Sequence, residues 1–231
     1  MSKINGKPAS EWIEENRPES GLFRVYWKDV IGPHDGGATF DENESEGLRW
    51  EWYYKDGKMA DGVSKGWFPN GQLKQYRIWK NGVQDGIWTE YYENGQKQYE
   101  GTYKDGKTDG LNTKWYEYGQ KNYEGTYKGG ELDGLNTKWY EYGQKNFEGT
   151  FKDGNRDGLW TSWYMNGQKK FEWNYKDGKE NGLHTKWYED GQKKYEIIYK
   201  DGKENGLHTK WYENGQKKLE VTYKNGEPID G

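Results

Sequence analysis

The chain has 231 residues, 35 of them basic and 39 acidic, for a formal charge of −4, and a mean hydropathy of −1.44 although 18% of its residues are aromatic. So polar a composition reads as disordered unless its aromatic residues recur at fixed spacings, which here they do. The absence of cysteine excludes disulfides and thiolate metal sites; no apolar run reaches membrane-spanning length and the N-terminus lacks an apolar signal core, so a cytoplasmic location is expected.

Residues 1–46 form a divergent N-terminal segment. Ser10, followed by Glu11, Trp12, Ile13, Glu14 and Glu15, predicts a short helix, because its hydroxyl can accept from a free amide of the first turn, where acids also suit the dipole. Asn16-Arg17-Pro18 ends it. Gly21 to Lys28, with aromatic and β-branched residues, predicts a strand. Ile31 to Glu46, rich in glycine and acids and containing His34, reads as a loop. Residues 47–61 look like a clipped copy of the unit that follows, placed to cap a stack. Residues 1–61 hold 13 acids and 8 bases, which leaves the remainder neutral within one charge at 26 and 27.

Residues 62–231 are seven tandem repeats. Gly62, Gly86, Gly110, Gly134, Gly158, Gly182 and Gly206 stand 24 residues apart without insertion, and each is followed after nine and after twenty residues by a further glycine. An aromatic pair closes the first run of every unit, as in Trp115-Tyr116 and Trp163-Tyr164. Each unit holds two runs rich in Thr, Tyr and Trp, residues that favour a pleated surface. Asn94-Gly95, Asn166-Gly167 and their equivalents separate the runs as tight hairpin turns, and Asp105-Gly106 and its equivalents make a second turn. No unit contains a helical pattern, which excludes a β-α-β crossover. The expected fold is all-β: an elongated single-layer antiparallel β-hairpin repeat array with a short N-terminal helix.

Loop length decides which side chains share a face. A two- or four-residue loop groups Tyr116, Tyr123 and Tyr127, and sets Leu111, Thr113 and Trp115 on the other face with Glu124 and Thr126; this arrangement is preferred. A three-residue loop would instead unite Leu111, Trp115, Tyr123 and Tyr127.

The unit at Gly86, GIWTEYYENGQKQYEGTYKDGKTDG, carries the pattern most cleanly and resembles the MORN-variant repeat, a relative of the membrane occupation and recognition nexus repeat. The resemblance runs from Gly62 to Gly231. It implies a β-hairpin array used for binding; related repeats are linked to scaffolding, dimerisation and acidic phospholipids. Bacterial proteins built from the variant form are often labelled antitoxins, which implies a toxin as partner.

Repetition weighs against chemistry, because an enzyme needs one unique constellation. His184 and His208 occupy one position of neighbouring units, roughly 10 Å apart, too far to share a metal, so no metal site is expected. Glu100, Glu124, Glu148, Glu172, Glu196 and Glu220 recur at one position with lysines at fixed offsets, which cross-strand charge pairing explains without catalysis. No unit has the tandem Asp spacing of a calcium loop. The candidate binding surface is the aromatic stripe Trp67, Tyr91, Trp115, Trp139, Trp163, Trp187 and Trp211, a row of rings able to stack on a peptide or glycan or on one another. A neutral array disfavours nucleic acid and anionic membrane alike. Ile197, Ile198, Leu219 and Val221 make the C-terminal end more aliphatic; Pro228 is placed to blunt the open sheet edge there, and the alternative is a homodimer contact. The expected function is a non-enzymatic protein-interaction module without cofactor, of scaffold or antitoxin type, with glycan or lipid binding as the alternative.

Overall fold

The computed structural model of the chain describes residues 3–4, 7–8, 20–26, 48–55 and 58–229. The helix expected at Ser10–Glu15 and the loop expected from Ile31 to Glu46 lie outside the described residues, which contain no helix. The chain forms two compact units, residues 1–109 with 117–119, and residues 110–116 with 120–231.

In the first unit, strands Gly62–Trp67, Leu73–Lys80, Val83–Tyr91 and Lys97–Lys104 each pair antiparallel with their neighbour in sequence. Before them, Gly21–Tyr26 pairs with Leu48–Lys55 in the register of a complete repeat. Gly21 faces Tyr54 as Gly62 faces Trp79, and Arg24 bonds Glu51 across the pair at 2.9 Å. Leu48–Lys55 is therefore the second strand of an eighth hairpin whose first strand lies 22 residues upstream of it. Phe23 and Trp52 bury the contact edge to face at 5.0 Å.

The second unit is likewise an antiparallel meander. Lys107–Trp115, from Gly110 onward, pairs with Lys121–Lys128; next come Glu131–Trp139, Lys145–Lys152, Gly158–Trp163, Lys169–Lys176, Gly182–Trp187, Lys193–Lys200, Lys203–Trp211, Lys217–Lys224 and Glu227–Ile229. Every pair is antiparallel between strands consecutive in sequence, or nearly so.

The two turns of a repeat differ in kind, and the first of them differs from expectation. Asp105 and Gly106 both have positive φ, +49° and +78°, which is the two-residue turn whose twist matches its strands. At Asn94-Gly95 only the glycine is positive, at +84°, and Tyr92 bonds both Gly95 and Gln96. That is a three-residue loop with a glycine bulge. A second bulge follows at once: Trp115 faces Lys121, but Lys114 faces Tyr123. The two irregularities cancel in phase. Leu111 consequently lies opposite Thr126 and Thr113 opposite Glu124, the preferred face grouping, reached through a loop of the other length.

The second bulge also sets the ion pairs. It turns Lys121 to the side of Glu124, so the two bond at 2.5 Å within one strand, and the pattern recurs at Lys145–Glu148 and Lys169–Glu172. The expected pairing was across strands; the bulge makes it local.

Candidate functional site

The two faces of the sheet obey different rules. One carries residues that the copies share: in the second unit Leu111, Leu135, Leu159, Leu183 and Leu207, then a ladder of Thr and Glu, then Trp alternating with Lys. The predicted aromatic stripe belongs to this constant face, and its rings are half-buried. The ammonium of Lys121 sits 5.6 Å from the centre of the Trp139 ring, and Lys145 and Lys169 lie 5.8 Å from Trp163 and Trp187. The residue after each Trp ties the copies together. Tyr116, Tyr140, Tyr164 and Tyr188 donate their hydroxyls at 2.9–3.0 Å to the backbone carbonyls of Trp139, Trp163, Trp187 and Trp211. Each such bond contributes about 1 kcal/mol net, and the Trp-Tyr pair thereby serves repeat-to-repeat cohesion.

The opposite face carries recurrent Tyr or Phe and Lys, and between them one line of positions that the copies do not share. The second residue after each leading glycine is Ser64, Trp88, Asn112, Asn136, Trp160, His184 and His208 in turn. In the second unit its cross-strand neighbours are Gly125, Gly149, Trp173, Ile197 and Val221. These positions form one line across the strands, and all of the first set in this unit are buried. Large and small alternate by contact: a Cβ on Gly125 would come within 2.7 Å of the Asn136 amide, and one on Gly149 within 2.6 Å of the Trp160 indole. Both glycines are extended, so they are needed for room and not for backbone freedom.

Where the line runs small, a groove opens. Its volume is about 750 Å³, and it is drawn from the repeats that start at Gly110, Gly134 and Gly158. Trp160 anchors one part. Its ring meets Phe147 at 4.8 Å, Phe151 at 4.9 Å and Tyr175 at 5.6 Å, all edge to face, and its Nε1 donates to the Thr150 carbonyl at 2.9 Å. Arg156 lies 4.2 Å from the same ring and donates to the Tyr175 hydroxyl at 2.9 Å. On the other side Asn136 donates to Tyr123 at 2.6 Å, and Tyr123 meets Tyr127 hydroxyl to hydroxyl at 2.9 Å. Ser162 is fixed by donating to the Asn146 carbonyl at 2.8 Å.

The electrostatics of the groove are one-sided. Lys114, Lys138 and Arg156 line it and no Asp or Glu does, because the glutamates of these repeats pair with threonines on the constant face. Burial, and then the hydrogen bond with Tyr127, holds the Tyr123 phenol well above its ordinary pKa, so it stays neutral. Further along the same face the charge becomes mixed: Glu180 and Glu204 take the position of Arg156, while Lys186 and Lys210 keep that of Lys114 and Lys138. There the Tyr199 hydroxyl is pushed up to about 12 by burial, with help from those two carboxylates.

His184 and His208 lie in the variable line on either side of Ile197. His208 approaches Glu204 at 3.1 Å, whereas His184 gives its Nε2 to the Asn174 carbonyl at 2.8 Å. Among the described residues no three metal-ligating side chains converge. The aliphatic C-terminal set is divided: Ile197, Leu219 and Val221 occupy the variable face, while Ile198 pairs with Leu183 on the constant one. Reasoning from the repeats singled out what recurs, and so missed Asn136, Trp160 and Arg156. The signal for them was the list of positions at which aligned copies disagree.

The family model of the MORN repeat variant matches residues 60–81, 84–105, 156–177, 180–201 and 204–225. No curated protein matches the chain. The two copies between the matched stretches keep the strands, bulges and glycine turns of the rest, and they supply most of the groove. They depart from the other copies at the turn, where Tyr118 and Tyr142 replace Asn or Asp. With one 24-residue hairpin running from Gly62 to the C-terminus, the chain is a MORN-variant repeat protein.

Proposed function

We propose that the chain is a non-enzymatic binding module that presents its variable face to a partner protein, in the manner of a scaffold or of an antitoxin that covers a toxin. The observation that carries this reading is the division of labour between faces. Trp, Thr, Glu and Lys of the constant face, with the tyrosine that follows each Trp, hold the copies together, so their identity is explained by stacking. Nothing in stacking requires one position to be Asn, Trp and His in different copies, and a face that differs from copy to copy recognises one partner and rejects others.

The test is placement of a photo-reactive residue. At Lys138, on the variable face, it is expected to capture one protein from the host; at Leu135, on the constant face, it is expected to capture none. Equal capture at both, or capture at Leu135 alone, would defeat the assignment of the face. The aromatic stripe is the alternative surface, for a glycan stacked on Trp139, Trp163 and Trp187. That reading requires the sugar to displace the lysines already over those rings.

A further inference from the structure

We propose that the groove across the repeats at Gly110, Gly134 and Gly158 receives an extended acidic segment of the partner, with an aromatic side chain as its anchor. The inference rests on the reading of the chain as a protein-binding module and names what that module would hold.

Charge is the first argument. The chain carries a net −4, yet this groove is lined by Lys114, Lys138 and Arg156 without a carboxylate. Further along the face Glu180 and Glu204 stand where Arg156 does. An acidic segment therefore meets only cations in the groove, and beyond it a stretch where Glu180 and Glu204 offset Lys186 and Lys210. The near-neutral sum of the array hides this local excess.

Shape is the second. The glycines Gly125 and Gly149 let side chains lie flat across the sheet, Asn136 and Tyr123 over the first and the ring of Trp160 over the second, and these side chains make the floor of the groove. An aromatic side chain entering the groove meets the rings of Phe147, Phe151 and Trp160, all of which line it. The groove crosses from the strand Lys107–Trp115 to the strand Lys169–Lys176, six principal strands. Five strand spacings make on the order of 24 Å, which an extended chain of about seven residues spans.

The polar groups decide between a peptide and a nucleotide. Asn122 and Asn146 offer side-chain amides, which donate to and accept from a peptide backbone equally well, whereas the buried Asn136 amide already donates to Tyr123. A nucleotide needs donors converging on one phosphate, and Arg156 is already engaged with Tyr175 and stacked on Trp160.

The experiment uses the full chain on an array of heptapeptides. One set carries one or two aromatic residues among Asp and Glu, and a matched set has Lys in place of every acid. Acidic members should be bound and their basic counterparts not. In Lys114→Glu and Lys138→Glu, both at exposed positions that leave packing intact, binding of the best peptide in solution should fall at least ~10-fold, about 1.4 kcal/mol. Lys104→Glu, outside the groove, should leave it unchanged. Preference for the basic set, indifference to charge reversal, or binding of adenosine triphosphate in place of any peptide would each overturn the proposal. If the array fails while the photo-reactive residue at Lys138 still captures a partner, the binding-module reading stands and only the acidic occupant falls.

Discussion

Gly149 and Trp160 share one space: the indole of Trp160 lies where a Cβ on Gly149 would come within 2.6 Å of it. The backbone at Gly149 is extended, so the constraint is purely volumetric. Gly149→Val is expected to lower stability by about 1–3 kcal/mol through overpacking, and Trp160→Ala by about 3–5 kcal/mol through the cavity it leaves. Because the two residues touch, the double variant should be less damaged than the sum of the singles, with a coupling of roughly 0.5–3 kcal/mol. Urea unfolding of the four proteins measures the cycle; strict additivity would mean that the contact is absent.

Gly143 isolates the other use of glycine. Its φ is +86° and no atom lies within 4 Å of a Cβ built on it, so a side chain there meets strain without collision. Gly143→Val should cost about 1–2 kcal/mol, whereas Gly143→Asn should lose only a fraction of that, since Asn tolerates the left-handed region. Equal melting temperatures for the two variants would contradict the turn assignment.

How far the sequence could be read differs between backbone and site. The period of the leading glycines and the aromatic pairs made the hairpin array legible, since each turn needs residues that accept positive φ. Turn types were not legible: Asn94-Gly95 and Asp105-Gly106 are the same kind of dipeptide. What separates them is the bulge between Trp115-Lys121 and Lys114-Tyr123 and its equivalents, a property of pairing that neither dipeptide encodes. The groove was hidden for another reason. Asn136, Trp160 and Arg156 depart from the repeat, and averaging over copies to find the period discards them as noise. Gly21–Tyr26 escaped as a repeat strand because its partner, Leu48–Lys55, stands beyond an insertion and not beyond a turn.

Tyr142 separates stability from binding. It occupies the turn position where Asn166, one repeat later, accepts from the Gln168 amide and donates at 2.8 Å to the carbonyl of Glu189 in the next turn. Tyr142 has no amide with which to do this and is 77% exposed. Tyr142→Asn is expected to stabilise the chain by about 0.5–1.5 kcal/mol, the net value of a recovered hydrogen bond. If the tyrosine belongs to the partner surface, the same change should weaken capture of the partner protein. A variant that melts no higher would show that the turns do not gain from being linked.

His184 should make stability fall with acid. The ring is 2% exposed, stacked on Trp173 and 4.6 Å from the Tyr199 ring. Burial lowers its pKa from the usual value, opposed in part by the bond to the Asn174 carbonyl and by Glu180. In the unfolded chain the imidazole protonates near pH ~6.5, while in the folded chain it resists. The unfolded state thus binds more protons, and the contribution of this residue is complete above that pH and declines as pH drops through the window below it. The slope cannot exceed about 1.4 kcal/mol per pH unit for one group. Carboxylates add a slope of their own, so the measurement is the difference between the wild type and His184→Phe in urea midpoint at pH 7.5 and 5.5. The variant should lose less on acidification. Glu180→Gln should lose more than wild type, because it removes a charge that favours the protonated ring. Parallel behaviour of all three would mean that the imidazole titrates alike in both states, as an accessible one does.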